Sequence, residues 1–227
     1  MKLGILSDIH GNRVALAAVL AVARAQGISR LLCCGDFIGY GHRPAETLAL
    51  LDDWVIDSCQ GNHDVMIAET AHARYGTGVA IAAAQLTPER RAKLAALPHP
   101  HDLSIAGRAI RLCHGTPWDR DEYLYPDADP ARFERAAQGG FHLVAMGHTH
   151  YPLIRRLGNT WLVNPGSVGQ QRNGVPGAHW VAWDTVADTL TAMVTAYDPT
   201  EIIADSRRID PDLPYLADIH LRQGPSS

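Results

Sequence analysis

Five short motifs along the chain combine Asp, His, Asn and Gly, and each motif follows an apolar run. In chain order they read SDIHGN at 7–12, CGDFIGYG at 34–41, QGNHD at 60–64, CHGT at 113–116 and MGHTH at 146–150. The side chains in them that could bind a cation are Asp8, His10, Asp36, Asn62, His114, His148 and His150. Carboxylate, imidazole and amide groups without a thiolate are the ligands of a hard or borderline divalent metal. The motifs therefore predict a metal site.

Two pairs of these residues are two positions apart, Asp8 with His10 and His148 with His150. In an extended strand such residues lie on the same face, so each pair could hold one cation. Glycines that allow close approach of the backbone adjoin the motifs at Gly11, Gly35, Gly61, Gly115 and Gly147. A single His is more often structural, but five such motifs together favour a functional site.

Strands and helices alternate in the first part of the sequence. Apolar runs predict strands over 2–7, 29–36 and 54–64, the last ending in a polar loop. Predicted helices follow Asn12 as far as Gly27, span 43–53, and occupy 65–97 as two or three segments, the last beginning at Thr87 and Pro88. In α/β folds the carboxyl ends of neighbouring strands meet at one edge, which is where these motifs fall.

The second part of the chain is richer in predicted strands. A hairpin is expected around Gly107-Arg108, a helix at 130–138, a strand over 141–150, a hairpin with its tip at Gly158-Asn159, and final strands on either side of 186–188. We therefore expect an α/β (α+β) protein with two packed sheets flanked by helices. Residues 1–227 should form a single domain, with the tail from about 199 loosely ordered.

Composition and net charge limit the classes of protein to which this chain can belong. The chain has 227 residues, a formal net charge of −4 and 46% hydrophobic residues, so we expect a globular protein without general affinity for nucleic acid. Its first residues lack the apolar core of a signal peptide, and no stretch is long and apolar enough for a membrane span, which predicts a cytoplasmic protein. The four cysteines lie in or beside apolar stretches and are expected to be buried reduced thiols.

The five motifs resemble those of the calcineurin-like metallophosphoesterase superfamily, and the loops GDFIGYG and NPGSVGQ are similar to its compact bacterial and archaeal phosphodiesterase branch. The resemblance implies an αββα sandwich of mixed sheets with two divalent ions. It assigns Asp8, His10 and His150 to one metal, Asn62, His114 and His148 to the other, and Asp36 to both. It favours Mn²⁺, with Fe, Zn²⁺, Ni²⁺ and Mg²⁺ as alternatives.

The same resemblance implies hydrolysis of phosphodiesters by a hydroxide that bridges the two metals. His63 would assist the leaving group, and Asp64 would orient His63. Nucleotides and monoesters are further substrates to consider. Candidate substrate contacts are Arg13, Tyr40 and Arg43, and Trp118 could stack on a base.

Three alternatives stay open. A protein Ser/Thr phosphatase of this superfamily commonly has Arg before GNH, where this chain has Gln60. A dinucleoside polyphosphate hydrolase and a non-catalytic scaffold of the same fold are the others, although a scaffold typically lacks a ligand or the histidine at His63. The expected partner is a small phosphorylated substrate, and exposed strand edges could support a homo-oligomer.

Overall fold

The computed structural model describes residues 1–68 and 76–222. Within these residues the strands are β1 (Lys2–Leu6), β2 (Arg30–Cys33), β3 (Val55–Ser58), β4 (His101–Ile105), β5 (Arg108–Leu112), β6 (Leu143–Ala145), β7 (Leu153–Leu157), β8 (Thr160–Asn164), β9 (Ala178–Asp184) and β10 (Thr189–Thr195). The α-helices are α1 (Arg13–Ala25), α2 (Pro44–Ala49), α3 (Asn62–Val65), α4 (Gly78–Gln85), α5 (Pro88–Ala95), α6 (Pro130–Ala136), α7 (Thr200–Ile209) and α8 (Tyr215–Asp218). Short 3₁₀ helices span Met66–Ala68 and Ile219–Leu221.

The strands form two five-stranded mixed sheets in the described part of the chain. The first has the order β10-β9-β1-β2-β3, with β1, β2 and β3 parallel to one another and β9 antiparallel to both of its neighbours. The second has the order β4-β5-β6-β8-β7, with β5, β6 and β8 parallel. Parallel strands end at the same edge of a sheet, so the segments that follow β1, β2, β3, β5 and β6 can meet there. Those segments carry the five motifs.

The two sheets pack face to face. Leu3 and Ile5 of β1 belong to the same apolar cluster as Ile110 of β5 and Val163 of β8. Leu6, which points to the opposite face of β1, packs instead in a cluster with the helices on the outer side of the first sheet. A third cluster, with Phe133 of α6, covers the outer side of the second sheet. The sandwich with outer helices confirms the fold class predicted from the sequence.

Several local predictions are confirmed by the backbone. The side chain of Asn12 caps α1 by accepting a hydrogen bond from the amide of Ala15, and Gly27 follows this helix with a φ of 73°. Thr87 caps α5 and Asp129 caps α6, each followed by a proline at the first helical position. All four cysteines are buried and free. No helix in the described ranges is long and apolar enough to cross a membrane.

Other local predictions need correction. Strand β3 ends at Ser58, and the NHD motif lies in helix α3 rather than at a strand end. The first hairpin turns at Ala106-Gly107, one residue earlier than expected, and both residues have a positive φ. Part of the helical prediction for 65–97 falls on 69–75, outside the described residues.

The loosely ordered tail expected from about residue 199 is wrong as far as residue 221, where α7, α8 and a 3₁₀ helix form. These helices are held by burial of Ile202, Leu216 and Ile219 and by ion pairs to α1 and α2 described below. The sequence pattern suggested disorder because the charged residues that anchor this segment have partners far away in the chain. Residues 223–227 lie outside the described part.

Candidate metal centre

The structure brings all seven candidate ligands into one buried cluster. The Nε2 atom of His150 lies 3.1 Å from Oδ1 of Asp8 and 3.2 Å from Nε2 of His10. The Nε2 atom of His114 lies 3.0 Å from Oδ1 of Asn62 and 3.1 Å from Nδ1 of His148. Oδ2 of Asp36 joins the two halves of the cluster, 3.6 Å from Nε2 of His10 and 3.3 Å from that of His114.

The backbone at these ligands is unusual. Asp8, His10, Asp36, His148 and His150 have φ values of 53°, 49°, 56°, 66° and 60°. The left-handed region that they occupy is unfavourable for residues with a Cβ atom and is concentrated at functional sites. The expectation that extended geometry would align the two pairs is therefore wrong. Each pair lies in a tight loop beyond its strand, because β1 ends at Leu6 and β6 at Ala145.

Hydrogen bonds to backbone carbonyls assign the tautomer of each ligand histidine. Nδ1 of His10 donates to the carbonyl of Ile38 at 3.0 Å, and Nδ1 of His114 donates to that of Cys34 at 2.7 Å. Each ring then points its other nitrogen at the centre of the cluster.

The other two ligand histidines follow the same rule. Nε2 of His148 donates to the carbonyl of Asp121 at 3.1 Å, and Nδ1 of His150 donates to that of Gln170. In the neutral rings the nitrogens that face the cluster are therefore acceptors, and they point at each other and at carboxylate and amide oxygens. Acceptors only 3.0–3.6 Å apart repel one another unless a positive charge lies between them. Ligands about 2.1 Å from a tetrahedral metal ion are about 3.4 Å apart, so the donor set fits divalent cations.

Electrostatics support the same conclusion. Burial disfavours a charged His114, but Asp36 and Asp8 outweigh it and raise the pKa of His114 to about 9. Burial also acts against ionised Asp8 and Asp36, yet the neighbouring histidines hold the pKa of both carboxyl groups below the ordinary value. Without a cation the cluster thus retains a proton on His114, and a metal ion would displace that proton.

The carboxylate of Asp36 is held so that only one of its oxygens faces both halves of the cluster. Oδ1 accepts a hydrogen bond from the backbone amide of His63 at 2.8 Å, which leaves Oδ2 between His10 and His114. Asp36, which the resemblance assigned to both cations, would therefore contribute to either half of the cluster.

His63 lies beside the cluster, with its ring centroid 4.9 Å from that of His10 and 4.6 Å from that of Tyr40. Burial outweighs the attraction of Asp36 and lowers the pKa of His63 to about 3. The ring is therefore neutral at neutral pH and can offer an N–H group. Gly39, with a φ of 99°, makes room for it, because a Cβ atom there would overlap the His63 ring.

Asp64 has a different role from the one predicted. Its carboxylate accepts hydrogen bonds from the backbone amides of Asp36, Phe37 and Gly61 at 2.8, 2.9 and 3.0 Å. It therefore ties the loop after β2 to the loop before α3, and both of its oxygens are used in these bonds. Burial and the charge of Asp36 raise the pKa of Asp64 to about 6.

Arg13 and Arg43 are engaged with carboxylates of the helices. Arg13 lies 2.6 Å from Glu201 of α7 and 3.2 Å from Glu46 of α2, while Arg43 lies 2.7 Å from Asp205 of α7. These ion pairs hold α7 against the N-terminal ends of α1 and α2. The predicted contact of both arginines with substrate gains no support from this arrangement.

Sequence reasoning picked out the loop NPGSVGQ after β8 but missed Arg172 just beyond it. Nη2 of Arg172 donates to the hydroxyl of Tyr40 at 3.2 Å and to Oε1 of Gln170 at 3.0 Å, and the backbone carbonyl of Gln170 holds His150. Ser167 of the same loop donates to the carbonyl of Asp8 at 2.8 Å. The Asn-Pro-Gly-Ser sequence at 164–167 was the available signal, because it marks a loop beside the ligands.

The rim of the cluster is aromatic. The ring of Tyr123 stacks on that of His148 with centroids 4.0 Å apart, and Tyr125 lies parallel to Tyr123 at 5.5 Å. Both tyrosines are exposed. Trp118 is not such a platform, because Arg135 covers its ring at 3.8 Å and its indole N–H donates to Glu122.

Comparison with known proteins identifies the family of this chain. A family model for the calcineurin-like phosphoesterase superfamily domain matches residues 1–188. An uncharacterized protein of Methanocaldococcus jannaschii is 30% identical over 218 residues, which cover 86% of this chain and 88% of that protein. The crystal structure of a metallophosphoesterase from Sphaerobacter thermophilus superimposes with a TM-score of 0.80 at 27% identity, covering 98% of each chain. A hypothetical protein from Pyrococcus horikoshii OT3 shares the fold, with a TM-score of 0.84 at 19% identity over 99% of each chain. The chain belongs to the calcineurin-like phosphoesterase superfamily.

Proposed function

We propose that this chain hydrolyses phosphodiesters of small molecules, nucleotides included, with the help of two divalent cations. The observation that carries the proposal is the cluster of seven side chains, in which four histidines each bind a backbone carbonyl with one ring nitrogen and turn the other toward the cluster of Asp8 and Asp36. A buried group of acceptors that retains a proton only on His114 is stabilised by cations, and phosphoester hydrolysis is the chemistry of the superfamily.

Distances divide the ligands into two sets. Asp8, His10 and His150 would hold one ion, since their ligand atoms lie within 4.8 Å of one another. Asn62 and His148 lie next to His114 and would hold the second ion with it. When bound, divalent cations supply positive charge to phosphoryl oxygens and make water more acidic. The absence of thiolate ligands fits Mn²⁺, which is our first choice of metal.

His63 is the group that we assign to the leaving-group side. Its neutral ring, held by the contacts with Tyr40 and His10, can donate a hydrogen bond to the oxygen on which negative charge develops. Such assistance from a positioned side chain typically contributes about 10² to 10⁴ in rate.

Two further observations bear on the class of substrate. The stacked pair Tyr123 and Tyr125, exposed beside His148, offers aromatic surface of the kind that nucleobases stack on, which favours nucleotides. The side chain of Gln60 is fully engaged, since its amide donates to the carbonyls of Leu94 and Ala95 and its oxygen accepts from Arg120. Gln60 therefore cannot replace the arginine of a protein Ser/Thr phosphatase, which disfavours that alternative.

The proposal is tested by metal reconstitution. Chelator-treated protein is loaded with Mn²⁺, Mg²⁺, Zn²⁺ or Ni²⁺ and assayed on bis(p-nitrophenyl) phosphate, cyclic nucleotides and p-nitrophenyl phosphate. We expect hydrolysis that depends on the metal and elemental analysis that finds two ions per chain. Asp36→Asn, which weakens the shared ligand, should lose both activity and one ion.

Two results would refute this function. Hydrolysis unaffected by chelation would exclude the metal-dependent reaction, and metal-replete protein inert toward the whole panel would favour the non-catalytic scaffold. The matched control is Asp102→Asn, because Asp102 is an exposed carboxylate on β4 that pairs with Arg111.

A further inference from the structure

Arg172 differs from the other arginines near the site in having no acidic partner. Arg13 and Arg43 lie within 4.0 Å of carboxylates, whereas the hydrogen bonds of Arg172 go to the Tyr40 hydroxyl and the Gln170 side-chain oxygen. Within residues 1–68 and 76–222, no carboxylate pairs with Arg172, although its side chain is partly buried. A guanidinium withdrawn from water without a counter-ion is unfavourable unless an anion can join it.

Both partners of Arg172 are neutral. Tyr40 contributes a phenol hydroxyl. The Gln170 amide carries no charge. Arg172 nonetheless lies beside the cluster, because its guanidinium carbon is 5.7 Å from the centroid of the Tyr40 ring, which contacts His10.

The residues that accept hydrogen bonds from Arg172 also contact the metal centre. The Tyr40 ring lies 4.6 Å from the ring of His10 and 4.6 Å from that of His63, and its backbone is held at a φ of 38°. The hydroxyl that receives Arg172 thus belongs to a residue in contact with both a candidate ligand and the candidate leaving-group histidine. Gln170, the second hydrogen-bond partner of Arg172, is held at the cluster because its backbone carbonyl accepts a hydrogen bond from Nδ1 of His150.

We propose that Arg172 binds phosphoryl oxygens of the substrate, and that Tyr40 and Gln170 are positioning residues that hold its guanidinium at the site. The proposal rests on the proposed function for the identity of the anion. Both hydrogen bonds of Arg172 to Tyr40 and Gln170 use Nη2, which leaves the N–H groups of Nε and Nη1 to donate, each in its own direction, to phosphoryl oxygens.

The test measures binding of inorganic phosphate to the Mn²⁺-loaded protein by isothermal titration calorimetry, which requires no turnover. Arg172→Met should weaken phosphate binding by about 10- to 100-fold, since hydrogen bonds to charged groups are worth more than neutral ones. Arg172→Lys should recover part of the loss, because it keeps the charge but not the fixed planar arrangement of N–H donors. Tyr40→Phe, which keeps the ring and removes the acceptor, should lose about 3- to 10-fold through a displaced guanidinium.

The control is Arg90→Met, an exposed arginine on α5 that pairs with Asp52. Metal content is measured on every variant by elemental analysis. Phosphate affinity of Arg172→Met equal to that of the parent would overturn the inference. Loss of phosphate binding together with loss of metal would also overturn it, because Arg172 would then only support the ligands.

Kinetics distinguish which phosphoryl group is bound. If Arg172→Met lowers kcat/KM equally for a diester and a monoester, Arg172 binds an oxygen of the reacting phosphoryl group that both esters have. If kcat/KM falls for the monoester alone, Arg172 binds the additional terminal oxygen of the monoester. If no ester is hydrolysed but Arg172→Met still loses phosphate, the proposed function fails and the anion site stands.

Discussion

Replacing Asp64 by Asn separates two roles for this residue. The carboxylate is fully buried, and its Oδ2 accepts from the amides of Asp36 and Gly61 while Oδ1 accepts from that of Phe37. Asparagine has one acceptor oxygen, which can keep the first two bonds. Its NH₂ group then faces the amide of Phe37, which loses its acceptor.

The magnitude follows from one buried N–H group without a partner, which costs about 1–3 kcal/mol. For a chain of this length each kcal/mol lowers the melting temperature by about 2–4 °C, so Asp64→Asn should melt roughly 2–12 °C lower. Asp64→Ala leaves all three amides unsatisfied and should be several-fold more destabilising. Because Asp64 fixes the backbone of Asp36, Asp64→Asn should also weaken metal binding by about 10- to 100-fold.

The assays are thermal unfolding of the metal-free protein and calorimetric titration with Mn²⁺. Asp102→Asn serves as the matched control, since loss of its exposed pair with Arg111 should change stability by no more than about 1 kcal/mol. The reasoning is wrong if Asp64→Asn keeps its stability and its metal affinity but loses turnover on poor leaving groups, because that result is the signature of a carboxylate that orients His63.

Three other predictions concern the reaction, the metal and pH. His63→Asn should bind metal like the parent protein but lose about 10² to 10⁴ in kcat on esters with poor leaving groups, and steady-state kinetics on activated and unactivated esters checks this. Metal-free protein titrated with Mn²⁺ to 100 times the dissociation constant should gain about 2.7 kcal/mol, or about 5–11 °C in melting temperature; an unchanged melting temperature would contradict the metal site. Burial raises the pKa of Asp210, but hydrogen bonds from His42 and Thr77 outweigh it and hold the pKa below the ordinary value. Its contribution to stability is therefore complete above a pH of about 4 and is lost as the pH falls through the folded-state pKa. In urea unfolding of the metal-free protein between pH 6 and pH 3, Asp210→Asn should lose less stability on acidification than the parent does.

The identities of the candidate ligands could be predicted because polar residues after buried strands have few structural reasons to be there. Asp8 and Asp36 follow apolar strands that are buried on both faces, and His114 follows β5, in which buried and more exposed residues alternate. Capping residues such as Thr87 and Asp129 acted locally, so the helix starts they mark could also be read from the sequence.

Contacts between distant segments could not be predicted. Arg13 and Arg43 looked like phosphate contacts because they follow the motifs, but their partners in α7 lie more than 150 positions away along the chain. Arg172 looked like an ordinary loop arginine, and only the folded chain shows that Tyr40 and Gln170 receive it without a carboxylate.

The five candidate ligands with a left-handed backbone conformation show that motif spacing can identify ligands correctly even when the predicted backbone geometry is wrong. Two residues separated by one position can face one cation either on an extended strand or in a tight loop, and the sequence SDIH is compatible with both. The structure has the tight loop, and the left-handed backbone conformation costs about 1–2 kcal/mol for each of the five ligands with positive φ. The sum, roughly 5–10 kcal/mol, is comparable to the whole free energy of unfolding of a typical domain. Such a backbone is held by the parallel strands and the buried carboxylate of Asp64, and in the proposed metal-bound protein cations would offset the repulsion among the acceptors. Stability and metal affinity should therefore change together at this site.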